Sequence, residues 1–256
     1  MKRFLIALVC TLVPAAGFAA DIPGANSDVP AYLRAAMADK VRGDDVKDDQ
    51  RRQMAAVMTF SGVKPGDKVA EIEPGRDYWT IVFSQIVGDE GHVYTVWPTQ
   101  MLKYAGKGLA RLDKLQKLPR FSNISVLKQP AAKFSTPEKV DLVFTAQNYH
   151  DYHNLDMGAA GVAEFNKNVY DALKPGGIYV VIDHVAPAGS GLEDTGTLHR
   201  IDPATVKKEV EAAGFKFDGA SDALRNPKDP HDIKVFDKSI RGHTDQFIYR
   251  FKKPAE

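Results

Sequence analysis

The stretch Val69-Ala70-Glu71-Ile72-Glu73-Pro74-Gly75-Arg76-Asp77-Tyr78 decides the fold. The apolar run Lys68–Ile72 gives way to a Pro-Gly turn and then to a second apolar run from Tyr78, which reads as strand, turn and helix. In an open parallel sheet, such a first strand-to-helix turn lies beside the crevice that binds ligands. A loop that brings its backbone close to a ligand favours glycine, because no Cβ stands in the way. Here only Gly75 stands at the turn, flanked by Glu73, Arg76 and Asp77.

Upstream, Gly62-Val63-Lys64-Pro65-Gly66-Asp67 is a turn cluster feeding the first strand. Pro30 opens a short helix over 31–39. In the charge run 42–52, Asp48 or Asp49 is expected to cap a helix with Met54, Val57 and Met58 on its apolar face. The run reads as a solvated face, with Arg51 or Arg52 reaching the crevice as the functional alternative.

Downstream, the helix from Tyr78 ends at Gly88-Asp89-Glu90-Gly91, and a second strand, 92–97, stops at Pro98. Met101, Leu102, Ala105, Leu109, Leu112 and Leu115 then fall at helical spacing. Strands follow over 124–127, 140–145 and 178–183, with a helix from Gly161 to Lys174 ahead of the last, ended by Pro175-Gly176-Gly177. Asp202, Pro203 and Gly214 supply the cap, first position and stop of another helix. Strands over 215–217 and 246–252 enclose a Pro-rich, charged loop, 226–244, long enough to be functional or mobile. There is no internal repeat.

The 256 residues, 44% of them hydrophobic, support one large α/β domain rather than two. Lys2 and Arg3, the apolar run 4–13 and small residues near Gly17-Phe18-Ala19 read as a signal peptide over 1–20, too short to span a membrane comfortably. A helical segment over 21–61 and an α/β domain over 62–256 would follow, exported to the periplasm or secreted. The 34 basic residues lose Lys2 and Arg3 with the signal, leaving 32 against 33 acidic ones, a balance that argues against a nucleic-acid partner. The one cysteine, Cys10, leaves with it too, so disulfides and thiolate chemistry are excluded from the mature chain. The mature chain is expected to have no transmembrane segment, and its oligomeric state stays open.

The alternation of strands and helices, Asn148-Tyr149-His150-Asp151, Leu173-Lys174-Pro175-Gly176-Gly177, Asp183-His184 and Thr197-Leu198-His199-Arg200-Ile201-Asp202-Pro203 carry a resemblance. From about Gly62 to Lys253 the chain resembles the class I S-adenosylmethionine-dependent methyltransferases, and within them an exported bacterial group. The resemblance implies a Rossmann-like sheet of seven strands, mostly parallel with the last antiparallel, and helices on both faces. It also implies S-adenosylmethionine as cofactor, held by Glu71, Glu73, Gly75, Asp77, Tyr78 and Trp97. At two of the three glycine positions of that loop stand Glu73 and Asp77. Trp97 stands where the superfamily places an acid that accepts both ribose hydroxyls, and an indole only donates.

The end of the fourth strand is where, by this resemblance, substrate meets cofactor. Asn148 and Tyr149 are read as positioning residues and His150 as general base, since imidazole titrates near neutrality; a polar cap is the alternative. Asp183, His184, His199 and Arg200 are read as substrate-binding residues, Arg200 as a carboxylate or phosphate clamp unless it pairs with Asp183 or Glu193. With His150 and His153 these groups offer metal ligands, but His-x-x-His is not a helix-face pair and no metal is assigned. Tyr78, Trp79 and Tyr149 line an apolar pocket or join the core. Gly189-Ser190-Gly191 lacks the strand-to-helix setting of a nucleophile elbow, which excludes a serine hydrolase. The reading is a methyltransferase acting on a small molecule in the cell envelope; the alternative is a catalytically inactive binding protein of that fold in the periplasm.

Overall fold

The computed structural model describes residues 29–255 apart from Asp156. The signal peptide and the residues up to 28 lie outside that range. Seven strands form one sheet: β1 (Lys68–Ile72), β2 (His92–Pro98), β3 (Ile124–Gln129), β4 (Val140–Ala146), β5 (Leu173–His184), β6 (Lys216–Ser221) and β7 (Gln246–Lys252). Their order is β3-β2-β1-β4-β5-β7-β6, with β1 to β5 parallel and β7 antiparallel to both of its neighbours. Strand order reverses between β1 and β4, which opens the crevice at their carboxyl ends.

Successive strand residues feed opposite cores, as the two-residue period requires. Val69, Phe144 and Val180 join one face, which packs under α1 (Ala31–Met37), α2 (Met54–Ser61), α3 (Tyr78–Val87) and α4 (Gly106–Leu115). Ala70, Val143 and Val181 join the other, under α5 (Gly158–Ala172) and α6 (Pro203–Ala212). Phe144 is fully buried, edge-on to Phe83 at 5.1 Å and to Trp79 at 5.5 Å. Truncating such a ring to alanine costs about 3–5 kcal/mol.

Several boundaries differ from the sequence reading. The helix expected through Met101 and Leu115 breaks at Ala105: a 3₁₀ stretch, Thr99–Tyr104, precedes α4. Asp48 and Asp49 do not cap α2, whose preceding residue is Gln53 in a left-handed conformation. Asp49 instead accepts from Arg42, at 2.7 Å through Oδ2, and from the Tyr78 hydroxyl at 2.7 Å. The amino-terminal segment is thereby fastened to the start of α3. α5 ends at Ala172, short of the expected Lys174, and Pro175-Gly176-Gly177 lies inside β5, in a register shift between Val140 and Leu142 where Gly176 takes φ 78°. The sixth strand extends to Ser221, further than 215–217. Asp202 caps α6 as expected, accepting from Ala204 N at 2.9 Å. Among the described residues no helix is long and apolar enough to cross a membrane.

Candidate active site

The turn after β1 is built on left-handed residues: Glu73 (φ 53°), Gly75 (φ 64°) and Asp77 (φ 64°). Only glycine adopts that region without steric cost, and aspartate tolerates it better than glutamate. The Asn148 amide fixes the turn by donating to Ile72 O at 3.1 Å and Glu73 O at 3.4 Å. Glu73 N donates to Val96 O at 2.8 Å. The loop therefore carries charged side chains at two left-handed positions, the kind of backbone that usually selects glycine.

A cavity of about 240 Å³ opens at this edge, lined by Arg52, Glu71, Glu73, Arg76, Tyr78 and Trp79 among others. Three acids in or behind it are incompletely bonded. Glu71 Oε2 accepts from Thr80 Oγ1 while Oε1 has no partner; Glu73 Oε2 and both Asp77 oxygens have none among the described residues. Burial pushes all three up to about 8, with neighbouring Asp151 adding to the effect at Glu73. Unliganded, these groups are therefore mostly protonated at neutral pH. Arg52 lies over Tyr78 at 4.6 Å, and burial lowers its pKa. The functional alternative for the charge run thus applies to Arg52, whereas Arg51 pairs with Asp48 at 3.0 Å.

The far side of the site is fully bonded. After Gln147 (φ 65°) the chain enters the 3₁₀ turn His150–Asn154. His150 N donates to Asp183 Oδ2 at 2.8 Å, and its Nδ1 meets Oδ1 and Oδ2 at 2.9 and 3.0 Å. Burial opposes charge on this imidazole, but Asp183 outweighs it and the pKa is raised. Nε2 faces His199 Nδ1 at 3.2 Å and Asp151 Oδ1 at 3.4 Å, and His199 Nδ1 lies 3.6 Å from the same oxygen. His199, held at φ 57°, brings its ring from the segment before α6.

Other residues assigned from the sequence are placed elsewhere. Tyr149 is fully buried, donating to Glu209 at 2.9 Å and accepting from Asn166 at 2.7 Å, so it braces α5 and α6 rather than a substrate. His153 joins the same group through Glu209 at 3.2 Å. Arg200 is buried in a bidentate pair with Asp229, both contacts 2.9 Å, and pairs with neither Asp183 nor Glu193; it has no free fork for a substrate. His184 is buried against Thr244 Oγ1 at 2.8 Å, and burial pushes it down to about 4, so it stays neutral. Asp183 serves His150 instead of a substrate. Trp97 is packed away: a Cβ at Gly108 would lie 3.0 Å from its ring and 2.1 Å from Gly75 O. Sequence reasoning passed over Arg76, which lines the cavity, and left Asp151 without a role. Arg76 stood in the quoted turn, and Asp151 beside His150.

No known family profile matches the chain. It is 29% identical over 143 residues to a ubiquinone/menaquinone biosynthesis C-methyltransferase of Teredinibacter turnerae, covering 56% of this chain and 53% of that protein. It is 25% identical over 190 residues to the enzyme of that name from Vibrio campbellii, covering 73% and 62%. The chain thus spans little more than half the length of these curated relatives. Among solved structures, an S-adenosylmethionine-dependent methyltransferase from Aquifex aeolicus matches with a TM-score of 0.55 at 18% identity, covering 83% of this chain and 96% of that one. The [4+2]-cyclase SpnF matches with a TM-score of 0.59 at 14% identity, covering 80% and 81%. Fold and relatives together place this chain in the class I S-adenosylmethionine-dependent methyltransferase superfamily. The cyclase is a reminder that the fold alone does not fix the reaction.

Proposed function

We propose that this chain is an S-adenosylmethionine-dependent methyltransferase acting on a small nucleophilic molecule in the cell envelope. The observation that carries the reading is the cavity at the β1–β4 switch point, with His150, three residues beyond its lining residue Gln147, paired to Asp183. The methionine end of the cofactor suits the residues present. Arg52 and Arg76 offer donors to a carboxylate, while the unpartnered Glu71 Oε1 and Glu73 Oε2 offer acceptors to an ammonium. The adenosine end suits them less, since Trp97 replaces the ribose acid and α4 sits on Gly75. A cavity of about 240 Å³ falls below the roughly 300–1,000 Å³ usual for ligand sites, so the walls of the crevice must open to admit the whole molecule.

Bound there, the cofactor supplies an electrophilic methyl group on its sulfonium. The chain's own work is to hold and deprotonate the acceptor. His150 Nε2 takes the proton, and Asp183 fixes the ring and stabilises the imidazolium, a role worth about 10²–10⁴ in rate. Asn148 keeps the β1 turn in place, so that the two reactants meet in line. Calorimetry of the purified chain with S-adenosylmethionine tests the reading: saturable binding supports it, and absence of heat at about 1 mM ligand overturns it.

The envelope location rests on the amino-terminal 20 residues. Fractionation of cells expressing the full chain checks it: recovery of the unprocessed chain in the cytoplasm would count against it.

One observation favours a second reading, a catalytically inactive binding protein of the periplasm. With Trp97 buried beneath Gly108, the ribose acceptor is missing and the adenosine side is closed. That reading calls for a smaller zwitterionic ligand in the same cavity, and the same calorimetry with free amino acids separates the two.

A further inference from the structure

His150, Asp151 and His199 converge on one point with more acceptor atoms than a single proton can serve. The atoms His150 Nε2, His199 Nδ1 and Asp151 Oδ1 form a triangle with edges of 3.2, 3.4 and 3.6 Å. Zinc held at about 2.0–2.1 Å in a tetrahedron places its ligand atoms roughly 3.3–3.4 Å apart. An octahedral magnesium at about 2.0–2.1 Å would bring them to roughly 2.9 Å and would favour oxygen over imidazole. The edges and the donor set both match the zinc type.

The surroundings have the form of a metal centre. A ligating histidine is typically oriented by a carboxylate on its other nitrogen. Asp183 does this for His150, with Nδ1 contacts of 2.9 and 3.0 Å and a third bond from His150 N at 2.8 Å. His150 is therefore rigid, with Nε2 the atom presented. The Asp151 and His199 side chains are 21% and 25% exposed, so the triangle faces solvent on one side and a fourth coordination position is open. His199 is held in its place by Phe236 of the loop after β6, ring centroids 4.9 Å apart, and by a left-handed backbone. Glu73 Oε2, buried without a partner among the described residues, belongs to the same electrostatic neighbourhood.

We propose that His150, Asp151 and His199 bind one divalent transition-metal ion of the zinc type, with the fourth position open to solvent. The site stands whether or not the chain transfers methyl groups. Where both hold, the ion and the proton compete for His150 Nε2. In the metal-loaded form an acceptor oxygen or sulfur would bind the open position, its proton passing to solvent on the exposed side of the triangle. His153, the other histidine of the sequence pattern, is occupied by Glu209 and takes no part.

The test uses the untagged full-length chain, stripped with chelator and titrated with cobalt(II) and then zinc. One ion per chain is expected, with the intense visible bands of four-coordinate cobalt, displaced by zinc. His199→Asn tolerates the left-handed backbone and should lower cobalt affinity by at least about 100-fold, and Asp183→Asn by about 10–100-fold. Asp151→Asn is a second ligand variant on the solvent side, and near-ultraviolet circular dichroism verifies that each variant is folded. Absence of uptake, or uptake unchanged in folded His199→Asn and Asp151→Asn, overturns the site. Because binding of the ion is read without cofactor or acceptor, the result is independent of methyl transfer.

Discussion

The two halves of the crevice differ in how complete they are. On the β4–β5 side the groups around His150 are paired: Asp183 accepts three hydrogen bonds, and Asn148 ties β4 to the β1 turn. On the β1–β2 side, Glu71, Glu73, Asp77 and Trp97 all hold buried polar atoms without a partner among the described residues. Native interiors seldom leave such groups unsatisfied, because each costs about 1–3 kcal/mol. A preassembled half is stable without ligand, whereas an unfinished half stores free energy that a ligand can release. In the function proposed above, the β4–β5 side does the chemistry and the β1–β2 side the binding.

The largest effect should come from breaking the finished half. Asp183→Ala removes the acceptor of His150 N, His150 Nδ1 and His184 N, and leaves His150 buried without its counter-charge. Removal of one partner from a buried pair costs about 3–5 kcal/mol, so urea unfolding should show a loss of that size. A change below about 1 kcal/mol would mean that Asp183 is not the anchor of this half.

The next effect is a pH dependence from the unfinished half. Asp77 is fully buried and burial raises its pKa to about 8, whereas unfolded it titrates near 4. Between those values the folded state holds a proton that the unfolded state has released, so stability falls as pH rises. The slope from this group is roughly 1 kcal/mol per pH unit between about pH 4 and 8, and it vanishes above the folded pKa. Asp77→Asn keeps a residue that tolerates φ 64° and removes the charge. The gap between melting curves at pH 5 and pH 9 should narrow in the variant, Glu71 and Glu73 keeping the rest of it; an unchanged gap would refute the assignment.

How much of this was legible depended on whether a feature is local. The strands were readable because β1, β4 and β5 are covered on both faces and so run apolar. The α6 cap was readable because Asp202-Pro203 acts through adjacent residues. By contrast, Tyr149 and Arg200 sat in motifs that looked functional, yet their partners are Glu209, Asn166 and Asp229. Those residues lie 17 to 60 positions away, and no local pattern announces them. The left-handed conformations of Glu73, Asp77 and His199 were hidden for the opposite reason: glycine signals such geometry, and here it is replaced.

A third change probes the contact that closes the adenosine side. Gly108→Ala places a methyl 2.1 Å from Gly75 O, a backbone atom that cannot rotate away, so α4 must shift. Overpacking of this kind costs about 1–3 kcal/mol. If α4 gates the unfinished half, the variant should also bind S-adenosylmethionine more tightly, since part of the opening cost is already met. Lower stability with unchanged affinity would show that the contact is packing only.

The smallest stability change is expected at Arg52. Its guanidinium lies over Tyr78 at 4.6 Å, and its Nε is buried without a hydrogen-bond partner among the described residues. A cation over an aromatic ring contributes about 0.5–1 kcal/mol at exposed sites and up to about 2 when desolvated. Burying a charge costs free energy of the opposite sign. Arg52→Met keeps the apolar contact with the ring and removes both terms, so thermal unfolding should move by less than about 1 kcal/mol. Ligand binding should respond differently. If Arg52 receives the carboxylate of a zwitterionic ligand, losing a charge-assisted hydrogen bond of about 1.5–3 kcal/mol weakens binding by roughly 10- to 100-fold. Nearly constant stability with a large loss of affinity would separate binding from folding at one residue of the unfinished half. Equal losses in both would return Arg52 to the core, leaving Arg76 as the cation facing the ligand.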